Sequence, residues 1–226
     1  MKLRERKNKM IFKELKLDNG IVDATNCYII QDGKTKEMMI VDPGGEPEKI
    51  MNMVSVLKGK VKIIYLTHCH VDHMQYAEEI AKNTNAKIFI GFYDLEGLKN
   101  PDINLSITTL GEEITIDDAL RVNDNDIIHV GSIELKVINT PGHTIGSTSL
   151  YCEEAGFVIA GDTLFRGGWG RTDLPTSSIN DIMNSIVTRL MILPDETIVY
   201  PGHSKSTKIG DEKPIYLELK PRIEKF

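Results

Sequence analysis

The sequence predicts a mixed α/β fold, and three observations predict it. Short runs rich in β-branched and aromatic residues recur along the chain. A few amphipathic helices interrupt them without strict alternation. No repeat, low-complexity block or Pro/Ser-rich linker divides the 226 residues, so one domain over residues 11–226 is expected.

Taken in order, IFKELKL (11–17), NCYII (26–30) and MMIV (38–41) read as strands. Residues 47–58 read as a helix: Pro47 suits a first turn, Ile50, Val54 and Leu57 share a face, and Gly59 stops it. VKIIYL (61–66) is a strand, and residues 73–83 form a helix with Met74, Ala77, Ile80 and Ala81 at helical spacing. AKIFI (86–90), IELKVI (133–138), STSLY (147–151) and FVIA (157–160) are further strands. Residues 179–191 place Ile179, Ile182, Met183, Ile186 and Leu190 on one helical face, with Ser178 and Asp181 in the spacing of a capping box. TIVY (197–200) is the last strand. The opening MKLRERKNKM is basic without an apolar face, which predicts a solvated, disordered tail over residues 1–10.

Composition narrows the function classes. The formal charge of -6 argues against a nucleic-acid partner, which usually needs a basic face. No apolar run approaches the ~20 residues of a membrane span, and no signal-peptide core follows the basic start. Cys27, Cys69 and Cys152 are odd in number and far apart, which fits a reducing compartment, so a cytoplasmic location is expected.

The histidines carry the chemistry. THCHVDH (67–73) holds three of the six in the chain. Four predicted strands each run into a turn signal and then a candidate ligand: His68, His143 in NTPGH, Asp162 in GD, and His203 in PGH. Extended backbone over residues 68–72 would project His68, His70 and Asp72 to one side. A turn into the following helix would swing His73 round, so the cluster could split between two ions. His143, Asp162 and His203 are the natural outside ligands, and imidazole with carboxylate suits zinc, iron or manganese. Burying so many titratable groups without a cation would be costly.

THCHVDH, NTPGHT, AGDTLF and YPGHS, in this order and with TNCYII and IVDPG upstream, resemble the metallo-β-lactamase superfamily. GDTLF with GRTDLP and the closing PGHSKSTKIGDEK are similar to its compact glyoxalase II-like hydrolases. The resemblance implies a four-layer αββα sandwich with two divalent metals at one edge, zinc foremost and iron or manganese as alternatives. By motif matching, His68, His70 and His143 would hold the first metal. Asp72, His73 and His203 would hold the second, and Asp162 would bridge both.

The activity implied is hydrolysis of a small-molecule thioester by a metal-bridging hydroxide, with Asp162 positioning it and Asp72 taking up its proton. Two alternatives share the motifs: a persulfide dioxygenase with one iron on His68, His143 and Asp162, and a nuclease, for which no extra RNA-binding domain and no basic run beyond the opening tail is seen. Arg171 and Asp173 read either as groups orienting the ligands or as a structural turn. Trp169 either lines the substrate mouth or packs. Cys69 reads as a packed small side chain, Lys205 and Lys208 as a solvated loop, Asp42 as a turn residue and His129 as a surface histidine.

Overall fold

The computed structural model describes residues 10–20 and 24–223, with side chains in the last helix through Tyr216. The expected tail at residues 1–10 therefore lies, Met10 apart, outside the described residues. The first sheet has the order β1-β2-β3-β4-β5-β6. Its strands are β1 (Ile11–Leu17), β2 (Thr25–Gln31), β3 (Glu37–Val41), β4 (Lys60–Leu66), β5 (Lys87–Gly91) and β6 (Ala119–Val122). The pairs among β1, β2 and β3 are antiparallel, and those from β3 to β6 are parallel. The second sheet contains β7 (Ile127–Val130), β8 (Ile133–Asn139), β9 (Thr148–Cys152), β10 (Phe157–Gly161), β11 (Ile198–Pro201) and β12 (Thr207–Lys208). They pair in sequence order, all antiparallel except β10 with β11.

Three apolar clusters make four layers. Between the sheets, Tyr28, Ile30, Met39, Val41 and Tyr65 face Leu135, Val137, Leu150, Phe157 and Ile159. The outer face of the first sheet buries Ile29, Ile40, Ile64 and Ile90 under helices α1 (Pro47–Leu57) and α3 (Ala77–Thr84). The outer face of the second packs Val158, Ala160 and Val199 against α6 (Ile179–Ser185) and α7 (Ile209–Ile223). Because both faces of each sheet are covered, the central strands read as continuous apolar runs rather than as alternation. Shorter helices α2 (Val71–Met74), α4 (Leu95–Lys99) and α5 (Ser106–Leu110) complete the order.

Two expected helices differ in detail. The run at residues 73–83 is broken into α2 and α3, because the Tyr76 N–H donates to the Pro43 carbonyl at 3.1 Å instead of continuing the helical ladder. That bond ties the turn carrying Asp72 and His73 to the loop after β3. The run at residues 179–191 is α-helical only to Ser185 and continues as a π-helical turn over Ile186–Leu190. Ser178 caps it by accepting from the Asp181 N–H at 3.2 Å. Ile179, expected on the buried face, is 46% exposed at the first helical position. The strands β6, β7 and β12 were not expected; each is at most four residues long.

Candidate metal centre

Four strands deliver the site to one edge of the sandwich. β4 ends at Leu66, one residue before Thr67 and His68. β8 leads to His143, β10 to Asp162 and β11 to His203. The first comes from one sheet and the other three from its partner, so the site lies where the sheets meet. The β8 loop is held from behind: the Ser185 hydroxyl donates to the Pro141 carbonyl at 2.7 Å and the Ser178 N–H to the Gly142 carbonyl at 2.8 Å.

All seven sequence-predicted residues converge. Their ligand atoms form three groups, His68/His70/His143, His68/His73/Asp162 and Asp72/His73/His203, with atoms in each group within 4.8 Å of one another. His70 Nδ1 and His143 Nε2 are 2.9 Å apart. His73 Nε2 and His203 Nε2 are 3.3 Å apart, and His203 Nε2 lies 3.2 Å from Asp72 Oδ2. The Asp162 carboxylate reaches both sides, with 3.5 Å from one oxygen to His143 Nε2 and 3.5 Å from the other to His73 Nε2. The expected swing of His73 occurs because α2 begins immediately after the extended His70.

The histidines are oriented from outside. The Thr67 hydroxyl donates to Asp42 Oδ2 at 2.7 Å, which leaves its oxygen to accept from His68 Nδ1 at 3.1 Å. His73 Nδ1 donates to Asp42 Oδ2 at 3.0 Å, His143 Nδ1 to the Arg171 carbonyl at 2.9 Å, and His203 Nδ1 to the Ala24 carbonyl at 3.2 Å. In this network four imidazoles spend their Nδ1 protons outward and turn Nε2 to the centre, the usual arrangement around a metal. Burial, then the neighbouring imidazoles, push His68 well below its ordinary pKa, which keeps it neutral. Burial works against a charge on His73, but the Asp72, Asp162 and Asp42 carboxylates outweigh it and raise the group to about 10. A cation would compete with that proton for the same negative field.

The donor set fits a metal. His68 Nε2 and Asp162 Oδ1 are buried without a hydrogen-bond partner. Such orphans are rare in folded proteins and ask for an ion or water. Gly202 lets the strand approach: a Cβ there would lie 2.1 Å from Asp162 Oδ1 and 2.6 Å from the His73 ring.

Residues 20–203 match the family model of the metallo-β-lactamase superfamily. The chain belongs to that superfamily. The probable metallo-hydrolase YqgX of Bacillus subtilis is 33% identical over 196 residues, which cover 86% of this chain and 91% of that protein. Hydroxyacylglutathione hydrolase GloC of Haemophilus influenzae is 30% identical over 192 residues, 83% and 89% of the two chains. Among solved structures, the BLEG-1 B3 metallo-β-lactamase superposes with a TM-score of 0.83 at 30% identity, covering 90% of this chain and 97% of that one. TTHA1623 in a di-iron-bound form gives 0.78 at 28%, covering 89% and 96%. ETHE1 from Myxococcus xanthus gives 0.74 at 28%, covering 90% and 81%. Superfamily fold and clustered His and Asp side chains together point to divalent metal ions, and the di-iron relative leaves zinc and iron both open.

Two residues of this superfamily member exceed what the sequence suggested. Asp42 is no simple turn residue: it is fully buried, adopts φ 53° and accepts from the Thr67 N–H at 2.8 Å as well as from Thr67 Oγ1 and His73. Asp94, not singled out in the sequence, joins the two histidine loops. It accepts from the Cys69 N–H at 3.0 Å, the Thr144 hydroxyl at 2.7 Å and the Gly146 N–H at 2.7 Å. No motif in the sequence marks it. The Arg171 main-chain carbonyl orients His143, while the Arg171 and Asp173 side chains pair with each other at 2.9 Å on the surface, as in a local structural turn. Cys69 is buried and its thiol is pushed well up by burial, as a packed side chain would be. Lys208 pairs with Glu196, Lys205 is exposed and His129 is exposed on β7. Among the described residues no helix is long and apolar enough to cross a membrane.

Proposed function

We propose that the chain is a hydrolase that cleaves a small-molecule thioester and carries two divalent metals, with zinc the first candidate. His68, His70 and His143 would hold one ion, Asp72, His73 and His203 the other, and Asp162 would be shared. The observation that carries this reading is the second group: Asp72, His73 and His203 converge as tightly as the first. A single iron on His68, His143 and Asp162 would leave that group without a use. The likeness to GloC supports a thioester as the substrate class.

When bound, such ions supply Lewis acidity and a nucleophile at neutral pH. The protein supplies orientation. Asp42 and the Arg171 and Ala24 carbonyls fix the ring faces of the histidines. Asp72, with its side chain 23% exposed toward the cleft, accepts the proton released when water adds to the substrate carbonyl. The carbon–sulfur bond then breaks and the thiolate departs, which is favourable because a thiol is far more acidic than an alcohol. The test is paired. Zinc-loaded protein is expected to release free thiol from a panel of thioesters, and iron-loaded protein to consume no oxygen with a persulfide. Oxygen uptake on the persulfide with no thiol release would reverse the assignment.

A further inference from the structure

A cleft of about 670 Å³ opens in front of the metal centre. One wall is the segment from Phe165 to Arg171, and it is fixed along its length. Phe165 and Gly168 exchange backbone hydrogen bonds of 2.8 and 3.4 Å. The Gly167 N–H donates to Glu212 Oε2 at 3.0 Å, and the Tyr216 hydroxyl donates to the Gly168 carbonyl at 2.8 Å, so α7 buttresses the turn. Gly170 seats it against the centre: its N–H donates to the Asp162 carbonyl at 3.0 Å, and a Cβ there would lie 2.9 Å from His143 Nδ1. The result holds Phe165 6.2 Å from the His203 ring and Trp169 6.1 Å from Tyr216, with Trp169 still 38% exposed. Leu105, which also lines the cleft, is anchored too, because the Val71 N–H, between His70 and Asp72, donates to the carbonyl of the preceding Asn104 at 2.8 Å.

Beyond the metal centre itself, the cleft offers an anion little. Asp72 and Asp162, which line it, belong to the ligand set, and the one Lys or Arg among its described lining residues is Arg171. That guanidinium is held by Asp173 through two bonds of 2.9 Å. A fixed, half-exposed aromatic wall in a cleft that Leu105 and Leu174 also line gains most from an occupant that removes it from water.

We infer that the substrate presents an uncharged apolar arm, aromatic or branched aliphatic, which packs against Trp169, Phe165, Leu105 and Leu174 in this cleft. Carboxylates on its thiol carrier add nothing to recognition. This rests on the thioester reading only for the reacting bond. Four thioethers that cannot be hydrolysed separate the two: N-acetyl-S-benzylcysteamine, N-acetyl-S-methylcysteamine, S-benzylglutathione and S-methylglutathione, titrated calorimetrically into the metal-loaded full chain. The benzyl compounds are expected to bind roughly tenfold or more tightly than the methyl compounds on either carrier. Trp169→Ala and Leu174→Ala should each lose most of that gain. Equal binding of benzyl and methyl compounds overturns the inference, as does tenfold tighter binding of the glutathione pair over the cysteamine pair. A benzyl preference in a protein that cleaves no thioester would leave this inference standing and remove the hydrolase reading alone.

Discussion

Asp32 and Asp42 stand at opposite ends of the antiparallel pair β2 and β3, and both are buried. Asp32 is closed off by its neighbours: it accepts from the N–H groups of Lys34 at 2.7 Å, Thr35 at 2.9 Å and Ser132 at 2.7 Å, and from the Ser132 hydroxyl. Its bonds clip the turn after β2 to the β7–β8 turn and end there. The bonds of Asp42 lead onward, through Thr67 to His68 and directly to His73, and they stop at His68 Nε2, a buried atom with no partner. Burial of a carboxylate therefore does not by itself mark a functional centre. A hydrogen-bond chain that terminates on unsatisfied buried lone pairs does, because those atoms need a ligand from outside the chain.

The difference can be broken most forcefully at Gly202. Gly202→Ala would drive a methyl group against Asp162 Oδ1 and the His73 ring. Since a displacement of about 1 Å at a reacting centre costs about 100-fold, activity should fall by at least that factor, with weaker retention of the second metal. Wild-type turnover in this variant would mean that the strand has more room than the fold allows.

Asp42→Asn should come next. It removes the charge that orients His73 and, through Thr67, His68, so metal affinity should fall by about 10- to 100-fold. Competition with a chelator of known affinity measures this. An unchanged midpoint would reduce Asp42 to the turn residue that its sequence context suggests.

Asp32→Asn should spare metal content and lower stability by about 1–3 kcal/mol at pH 7. Burial tends to raise this carboxyl, but the bonds from Ser132, Thr35 and Lys34 outweigh it and hold the group below the usual carboxylate range. Its contribution is thus fully present above the unfolded value of about 3.9 and is lost as pH falls through the lower folded value. The gap in melting temperature between variant and wild type should narrow below about pH 4. A gap that widens on acidification would contradict the direction of the shift.

The same contrast explains what was legible in the sequence. Local signals gave the strands whose apolar runs are long, the helix start at Pro47 and the Ser178 cap. The short strands β6, β7 and β12 carry too few residues for a periodic signal and exist through pairing with longer neighbours. The seven converging His and Asp residues were legible because each sits at or beyond a strand end or turn in a recognisable motif. Asp42 and Asp94 were not, since their role depends on partners far along the chain: Thr67 and His73 for the first, Cys69, Thr144 and Gly146 for the second. Only the folded chain brings those groups together.

The orphaned His68 Nε2 and Asp162 Oδ1 are assigned to a two-metal centre, and replacing His203 puts that assignment to the proof. Its Nε2 faces Asp72 and His73 in the second group and takes no part in the first. Metal analysis of zinc-reconstituted wild type and His203→Ala, both shown to be folded, should give about two ions per chain in the wild type and about one in the variant. One ion in each protein, or none in a well-folded wild type, would contradict it.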